Sequence, residues 1–185
     1  MHLYLVRHGE TLSNRSKLYA GWSNDELTST GRAQAEQAAK KFANKSIDAI
    51  YTSPLRRTVQ TAEIIAHFLN MKPIPDKSFI EQRLGLWEGL TEDEIARDFK
   101  KEWEVWNKRP QELVLDGRET LDQLLQRVLN GITRIKNDSH YKSILIVTHV
   151  AIIRVLHLYL NNIDMNKYRT IPVSNGQIFY FLFST

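Results

Sequence analysis

The sequence predicts an α/β domain in three layers, helix-sheet-helix, around a mostly parallel mixed sheet. Three observations carry this. Short continuous apolar runs such as Leu3–Val6 and Ser143–Val147 read as buried strands, the habit of parallel sheets covered on both faces. Between them stand longer segments whose apolar residues recur at helical spacing. The two kinds alternate along the chain. With 185 residues and no repeat, low-complexity run or linker, one domain spanning 1–185 is expected, long enough to bury a real core.

Taken in order, Leu3–Val6 is a buried strand, and a polar stretch follows to about Thr28. A helix rich in alanine and glutamine runs from there to about Phe42, with Thr28 as its N-cap. Asp48–Tyr51 is a second strand. It leads to Ser53-Pro54, read as an N-cap followed by proline at the first helical position. Leu55, Val59, Ala62, Ala66 and Leu69 then repeat at helical spacing. Pro73 and Pro75 bracket an edge strand near Ile74, where a missing N–H donor is tolerated. Thr91 and Glu94 form a capping box for another helix. Leu121, Leu124, Leu125, Val128, Ile132 and Ile135 make the clearest amphipathic helix, beginning near Thr120. Ser143–Val147 is a strand, and Val150–Leu160, apolar nearly all round, is a buried helix. Ile178–Phe183 is the last strand.

Composition narrows the function. The chain is 42% hydrophobic and 25% charged, ordinary values for a globular protein. Twenty-five Lys+Arg against 21 Asp+Glu leave a net charge of +4, too small and scattered to argue for nucleic acid. The pairs Lys40-Lys41 and Lys100-Lys101 sit on helix patterns and are expected to face solvent. The absence of cysteine excludes disulfides and thiolate metal sites. The first residues lack the features of a signal peptide, and no segment has the length of a membrane span. A cytoplasmic enzyme or binding domain is expected.

Two of the six histidines fall in matching places. His8 follows one apolar strand and His149 follows another. Open α/β sheets bind ligands beyond the carboxyl ends of strands, near a switch in strand order, so both imidazoles are expected at such an edge. Around His8 the chemistry suits an anion: Arg7 offers bidentate donors to phosphate oxygens, and Gly9 lets backbone come close to a ligand. Arg56 and Arg57 lie in a helical first turn, where cations oppose the helix dipole unless a bound anion compensates. Periodicity does not choose between them. A metal site built on the two histidines has no HExxH, HxH or Asp-rich cluster to support it, and no cofactor or metal is expected. His2, His67, His140 and His157 are read as surface or helix-packing residues.

Six segments in order resemble the motifs of the histidine phosphatase superfamily, also called phosphoglycerate mutase-like. They are Arg7-His8-Gly9-Glu10-Thr11 with Asn14, Gly21–Ala35, Ser53–Ala62, Phe79–Gly89, Gly117–Val128 and Val147–Arg154. The resemblance implies that His8 is a nucleophile attacking phosphorus, with a backbone carbonyl holding its ring in the reactive tautomer. It implies that Arg7, Arg57 and His149 surround the transferring group, that Asn14 adds a hydrogen bond, and that Glu81 is the general acid. The motif selects Arg57 over Arg56. Glu88 is the rival acid, read as structural, and Glu10 a supporting carboxylate. Ala20, Gly21 and Trp22 are expected against the substrate, and the Ser16–Glu26 loop, with Tyr19 and Trp22, is a candidate for specificity. Phe79-Ile80, Arg118 and Glu26 depart from what relatives often carry.

The implied activity is a metal-independent phosphatase acting on small phosphomonoesters through a phosphohistidine, resembling the short phosphatase members such as the α-ribazole phosphatases. A phosphoglycerate mutase using the same phosphohistidine is the alternative, and a phosphate-binding domain without catalysis a further one. Mutases of the superfamily are longer, and a middle segment and tail help enclose their phosphoenzyme. Here only about thirty residues separate Trp87 from the helix near Thr120, and only Ser184 and Thr185 follow the last strand. The expected partner is a small-molecule phosphomonoester. Oligomeric state is open, with a homodimer as one option.

Overall fold

A computed structural model describes residues 1–183; Ser184 and Thr185, the pair expected to follow the last strand, lie outside the described residues. The five strands are β1 (His2–Arg7), β2 (Ala49–Thr52), β3 (Pro73–Pro75), β4 (Ser143–Thr148) and β5 (Ile178–Leu182), in the order β3-β2-β4-β1-β5. The first four are parallel, and β5 pairs antiparallel with β1 at the edge. The helices are α1 (Leu12–Arg15), α2 (Ser29–Lys40), α3 (Arg56–Phe68), α4 (Glu92–Asp98), α5 (Lys100–Lys108), α6 (Leu121–Asp138) and α7 (Val150–Leu160).

All six residues of β4 are buried, as its continuous apolar run requires of a central parallel strand. The pleat divides them. Leu145 and Val147, with Val6 and Ile50, meet Ala38, Ala39 and Phe42 on the α2 side and Ala62, Ile65 and Ala66 of α3. Ile144 and Ile146, with Leu3 and Leu5, meet Leu121, Leu124, Val128 and Ile132 of α6 and Ile152, Ile153 and Leu156 of α7. These two cores make the three layers. Each buried Leu or Ile contributes roughly 1.5–3 kcal/mol, so the α6 stripe, rather than its intrinsic propensity, holds that helix.

Two of the predicted caps form. Thr28 accepts from the Gly31 N–H at 3.0 Å, and Thr91 and Glu94 exchange their capping bonds. Two expectations need correction. The polar stretch after β1 contains the short helix α1, capped by Thr11 and Asn14. And Ser53 is no N-cap: α3 begins at Arg56 after an extended Leu55, with no side-chain cap. The Ser53 hydroxyl is engaged by His149 instead.

The strand order places the site. The connection from β1 to β2 passes over β4, and the chain returns from β3 to β4, so β1 and β4 end side by side. Arg7 is in register with Thr148, and the His8 N–H donates to the Thr148 carbonyl at 3.0 Å. His8 and His149 are therefore neighbours at the carboxyl edge, at the reversal of strand order.

Candidate active site

The two imidazole rings lie 5.3 Å apart, centre to centre, and edge to face. Both are buried. The Nδ1 of His8 is 2.7 Å from the carbonyl oxygen of Gly9. An imidazole beside a carbonyl oxygen must donate to it, so Nδ1 carries the proton and Nε2 keeps its lone pair. The His8 carbonyl accepts from Asn175, whose amide also donates to Asn14 at 3.0 Å. The Gly9 N–H donates to Thr61 at 3.1 Å. The sequence suggests that Gly9 admits a ligand, but a Cβ there would overlap the Gly31 carbonyl, and one at Gly31 would overlap the Glu10 carbonyl. The missing side chains admit the start of α2 instead. Glu10 accepts from the Thr28 hydroxyl at 2.8 Å and braces that junction.

Arg56 and Arg57 part company. Arg56 is exposed and pairs with Glu26 at 2.6 Å. Arg57 is 1% exposed; its Nη1 and Nη2 donate to the carbonyls of Ser23 and Gly21 at 2.5 and 2.8 Å. The Ala20–Ser23 stretch thus folds around the Arg57 guanidinium. Arg7 donates through Nη1 to the Val173 carbonyl at 2.6 Å. What these groups leave over is informative. The Nε of Arg7, the Nε of Arg57 and the Nδ1 of His149 are buried without a hydrogen-bond partner. An unsatisfied buried donor costs about 1–3 kcal/mol, and buried polar groups are nearly always paired.

The Nε2 of His149 lies 2.7 Å from the hydroxyl of Ser53. The Ser53 hydroxyl also accepts from the Leu55 N–H at 3.3 Å, and we assign its own hydrogen to Nε2. That assignment puts the His149 proton on the unpartnered Nδ1. Sequence reasoning missed this role because serine before proline is also a good cap signal.

Glu81 is buried, with an oxygen accepting from the Gln82 N–H at 2.8 Å. Burial raises its carboxyl above the ordinary 4.5, against the pull of that N–H and of Arg57 and Arg7. The rival Glu88 is exposed, accepts from the Leu84 N–H at 3.2 Å, and sits against Gly21.

A cavity of roughly 280 Å³ gathers Arg7, His8, Asn14, Ala20, Gly21, Arg57 and Glu81. His149 is fully buried and is not among the residues that line it. Trp22 also lies outside it: the indole donates to the Glu81 carbonyl at 2.7 Å, and Arg83 covers its ring at 4.5 Å. From the specificity loop, Leu18 and Tyr19 do line the cavity. The outer wall holds residues the sequence did not single out: Glu92, Trp106, Tyr168, Arg169 and, from the last motif, Arg154. Arg118 is buried among aromatic rings, 4.4 Å from Trp106 and 5.7 Å from Trp87. Burial lowers it to about 10. Among the described residues no group of three or more His, Asp or Glu side chains is placed to hold a metal ion. None of the described helices is long and apolar enough to cross a membrane.

Burial first, then Arg57 and the neighbouring charges, hold both histidines well below their ordinary 6.5. The sign of the effect on stability follows. As pH falls through about 6.5, the unfolded chain takes up protons that the folded one refuses. The contribution is thus fully present above that value and lost below it. Glu81, shifted upward, acts with the opposite sign, its stability present below 4.5 and lost as pH rises through its folded value. Urea unfolding from about pH 7.5 to 5.5 should show wild type losing more stability than His8→Ala. Equal losses would mean that His8 titrates normally in the fold.

The comparisons agree with this architecture. Phosphoserine phosphatase 1 of Hydrogenobacter thermophilus is 28% identical over 94% of this chain and 82% of its own. The structure of Bacillus stearothermophilus YhfR superposes with a TM-score of 0.90 at 28% identity, covering 97% of this chain and 89% of the other. The α-ribazole phosphatase from Shigella flexneri gives 0.84 at 26% identity, over 96% and 88%. The sequence model of one family, described as histidine phosphatase superfamily (branch 1), matches residues 3–184, from β1 to beyond β5. The match takes in the paired strand ends that carry His8 and His149, and the chain belongs to the histidine phosphatase superfamily.

Proposed function

We propose that the protein is a metal-independent phosphatase that hydrolyses small phosphomonoesters through a phosphohistidine on His8. One observation carries the reading: three buried donors without partners, Arg7 Nε, Arg57 Nε and His149 Nδ1, belong to the residues grouped around an imidazole whose Nε2 is free to attack. A phosphoryl group has three equatorial oxygens, and a transferring one gathers negative charge on them. Donors already fixed by Val173, Ser23, Gly21 and Ser53 need little reorganisation when that charge develops. Asn14, its Oδ1 accepting from Thr11 and Asn175, keeps its NH₂ to donate.

In the first step the Nε2 lone pair of His8 forms a bond to phosphorus, and the bond from phosphorus to the ester oxygen breaks. Glu81, whose carboxyl burial pushes upward, gives its proton to the departing oxygen. In the second step water attacks the phosphorus, Glu81 takes a proton from it, and the P–N bond returns its electrons to His8. Inorganic phosphate leaves. The positive charge comes from Arg7 and Arg57, with the neutral His149 N–H as a further donor, so the scheme uses no metal.

The test is phosphate release from p-nitrophenyl phosphate and from alkyl phosphates, before and after dialysis against a chelator, with 3- to 2-phosphoglycerate interconversion followed in parallel. Phosphate release should dominate and survive the chelator. Collapse restored by added zinc or magnesium would overturn the metal-free scheme. Interconversion much faster than release would make the protein a mutase.

A further inference from the structure

Glu81 stands in a stretch without helix or strand, just after a short turn at Lys77–Phe79. The carbonyls of such a stretch must find donors elsewhere. Those of Ser78 and Ile80 accept from Nη1 of Arg127 at 2.9 and 3.0 Å. That of Phe79 accepts from the Thr148 hydroxyl at 3.0 Å, and that of Glu81 from the Trp22 indole at 2.7 Å. Arg127 comes from α6 and is itself held: its Nε and Nη2 each donate to one carboxylate oxygen of Glu119 at 2.8 Å. Glu119 is tied in turn. Its N–H donates to the Arg83 carbonyl at 3.0 Å, and its carbonyl accepts from the Gln82 side chain at 2.7 Å.

Fastening a loop to α6 would serve stability in any domain of this kind, and that accounts for the bond to Ser78. It leaves unexplained where the bonds converge. A residue's backbone has two soft dihedrals, set by the peptide planes on either side of its Cα. At Glu81 both planes are tethered: Arg127 holds the carbonyl of Ile80 on one side, and Trp22 holds the carbonyl of Glu81 on the other. The residue type fits this task. A guanidinium can give two donors to a carboxylate and still offer a nitrogen with two hydrogens to two carbonyls, whereas lysine has all its donors on one nitrogen.

We propose that Arg127, locked by Glu119, is a positioning residue for the general acid: through the Ile80 carbonyl it holds the Glu81 carboxyl where the departing ester oxygen comes. This rests on the phosphatase reading above, with Glu81 as its acid, and goes beyond it to the residues that aim the proton. Arg127 does not line the cavity, so it touches neither substrate nor reacting atoms. Its effect on the rate runs through Glu81 and is felt where the leaving group needs a proton.

Two esters and a double variant test it. Arg127→Met should lower kcat on an alkyl phosphate such as glycerol 3-phosphate by about ten- to a hundredfold, the cost of a misplaced group short of losing the acid outright. KM should stay near the wild-type value, and the loss on p-nitrophenyl phosphate should be far smaller. A loosened fold would instead lower both esters together. Arg127→Lys, which keeps the charge but not the fork, should show the same contrast at smaller size, and it carries the comparison if the methionine variant does not fold. Combining either substitution with Glu81→Gln separates the routes. Once the acid is gone its position no longer matters, so the double variant should match Glu81→Gln alone on the alkyl ester. Equal losses on the two esters, or costs that multiply in the double variant, would overturn the positioning role, while wild-type turnover of p-nitrophenyl phosphate still upheld the phosphatase. Absence of that turnover would overturn both.

Discussion

Replacing His8 with alanine should lower kcat by about four orders of magnitude or more, because nothing else in the cavity is placed to attack phosphorus. His149 is turned away from that task by its bond to Ser53, which leaves a proton on the nitrogen without a partner. The substitution strips the Gly9 carbonyl of its donor and opens a small space, at a cost of about 1–3 kcal/mol. A domain with roughly 5–15 kcal/mol of stability survives that. The variant should therefore be folded and inert. Acid quenching of the wild type with labelled substrate should trap phosphate on His8. Label on His149, or substantial turnover by the variant, would refute the assignment.

Glu81→Gln should lower alkyl phosphate hydrolysis by about 10²- to 10⁴-fold, the usual contribution of a general acid. The loss on p-nitrophenyl phosphate should be far smaller, since that leaving group departs without a proton. Glutamine keeps the size of the side chain and an oxygen for the Gln82 N–H, so the contrast reports on the proton itself. The basic limb of the pH profile, set by ionisation of a carboxyl pushed upward by burial, should also vanish for alkyl esters. Equal losses on both ester types would reduce Glu81 to a scaffold and reopen the claim of Glu88.

Much of this is legible in the chain. The parallel core shows itself in β1 and β4, since strands buried on both faces have no room for polar alternation. Caps at Thr28 and Thr91 are readable because a helix N-cap is a local code. His8 and His149 pair on the letters alone, since both follow such strands. Arg57 is not separable from Arg56 by pattern, because what distinguishes them is a tertiary contact: the Ala20–Ser23 stretch folds its carbonyls around one and leaves the other to Glu26. Ser53 misleads because its partner lies 96 positions away. Trp22 is expected to face substrate, and its indole instead supports the backbone of Glu81. The outer wall is invisible in the sequence for a similar reason. Arg154, the adjacent Tyr168 and Arg169, Glu92 and Trp106 come from four separate segments, and only folding gives them a common surface.

The contact between Gly9 and Gly31 bears on how such a site could be moved. Neither position has space for a single carbon, because each would strike the backbone of the other segment. The turn that presents the nucleophile and the first turn of α2 are thus one joint made of main chain, with no side chain to adjust on either side. Transplanting Arg-His-Gly onto another parallel sheet would carry the letters without the joint. The smallest portable unit is β1, the loop after it and the opening of α2 together, and libraries meant to vary this enzyme are better aimed at the outer wall, where side chains alone set the shape.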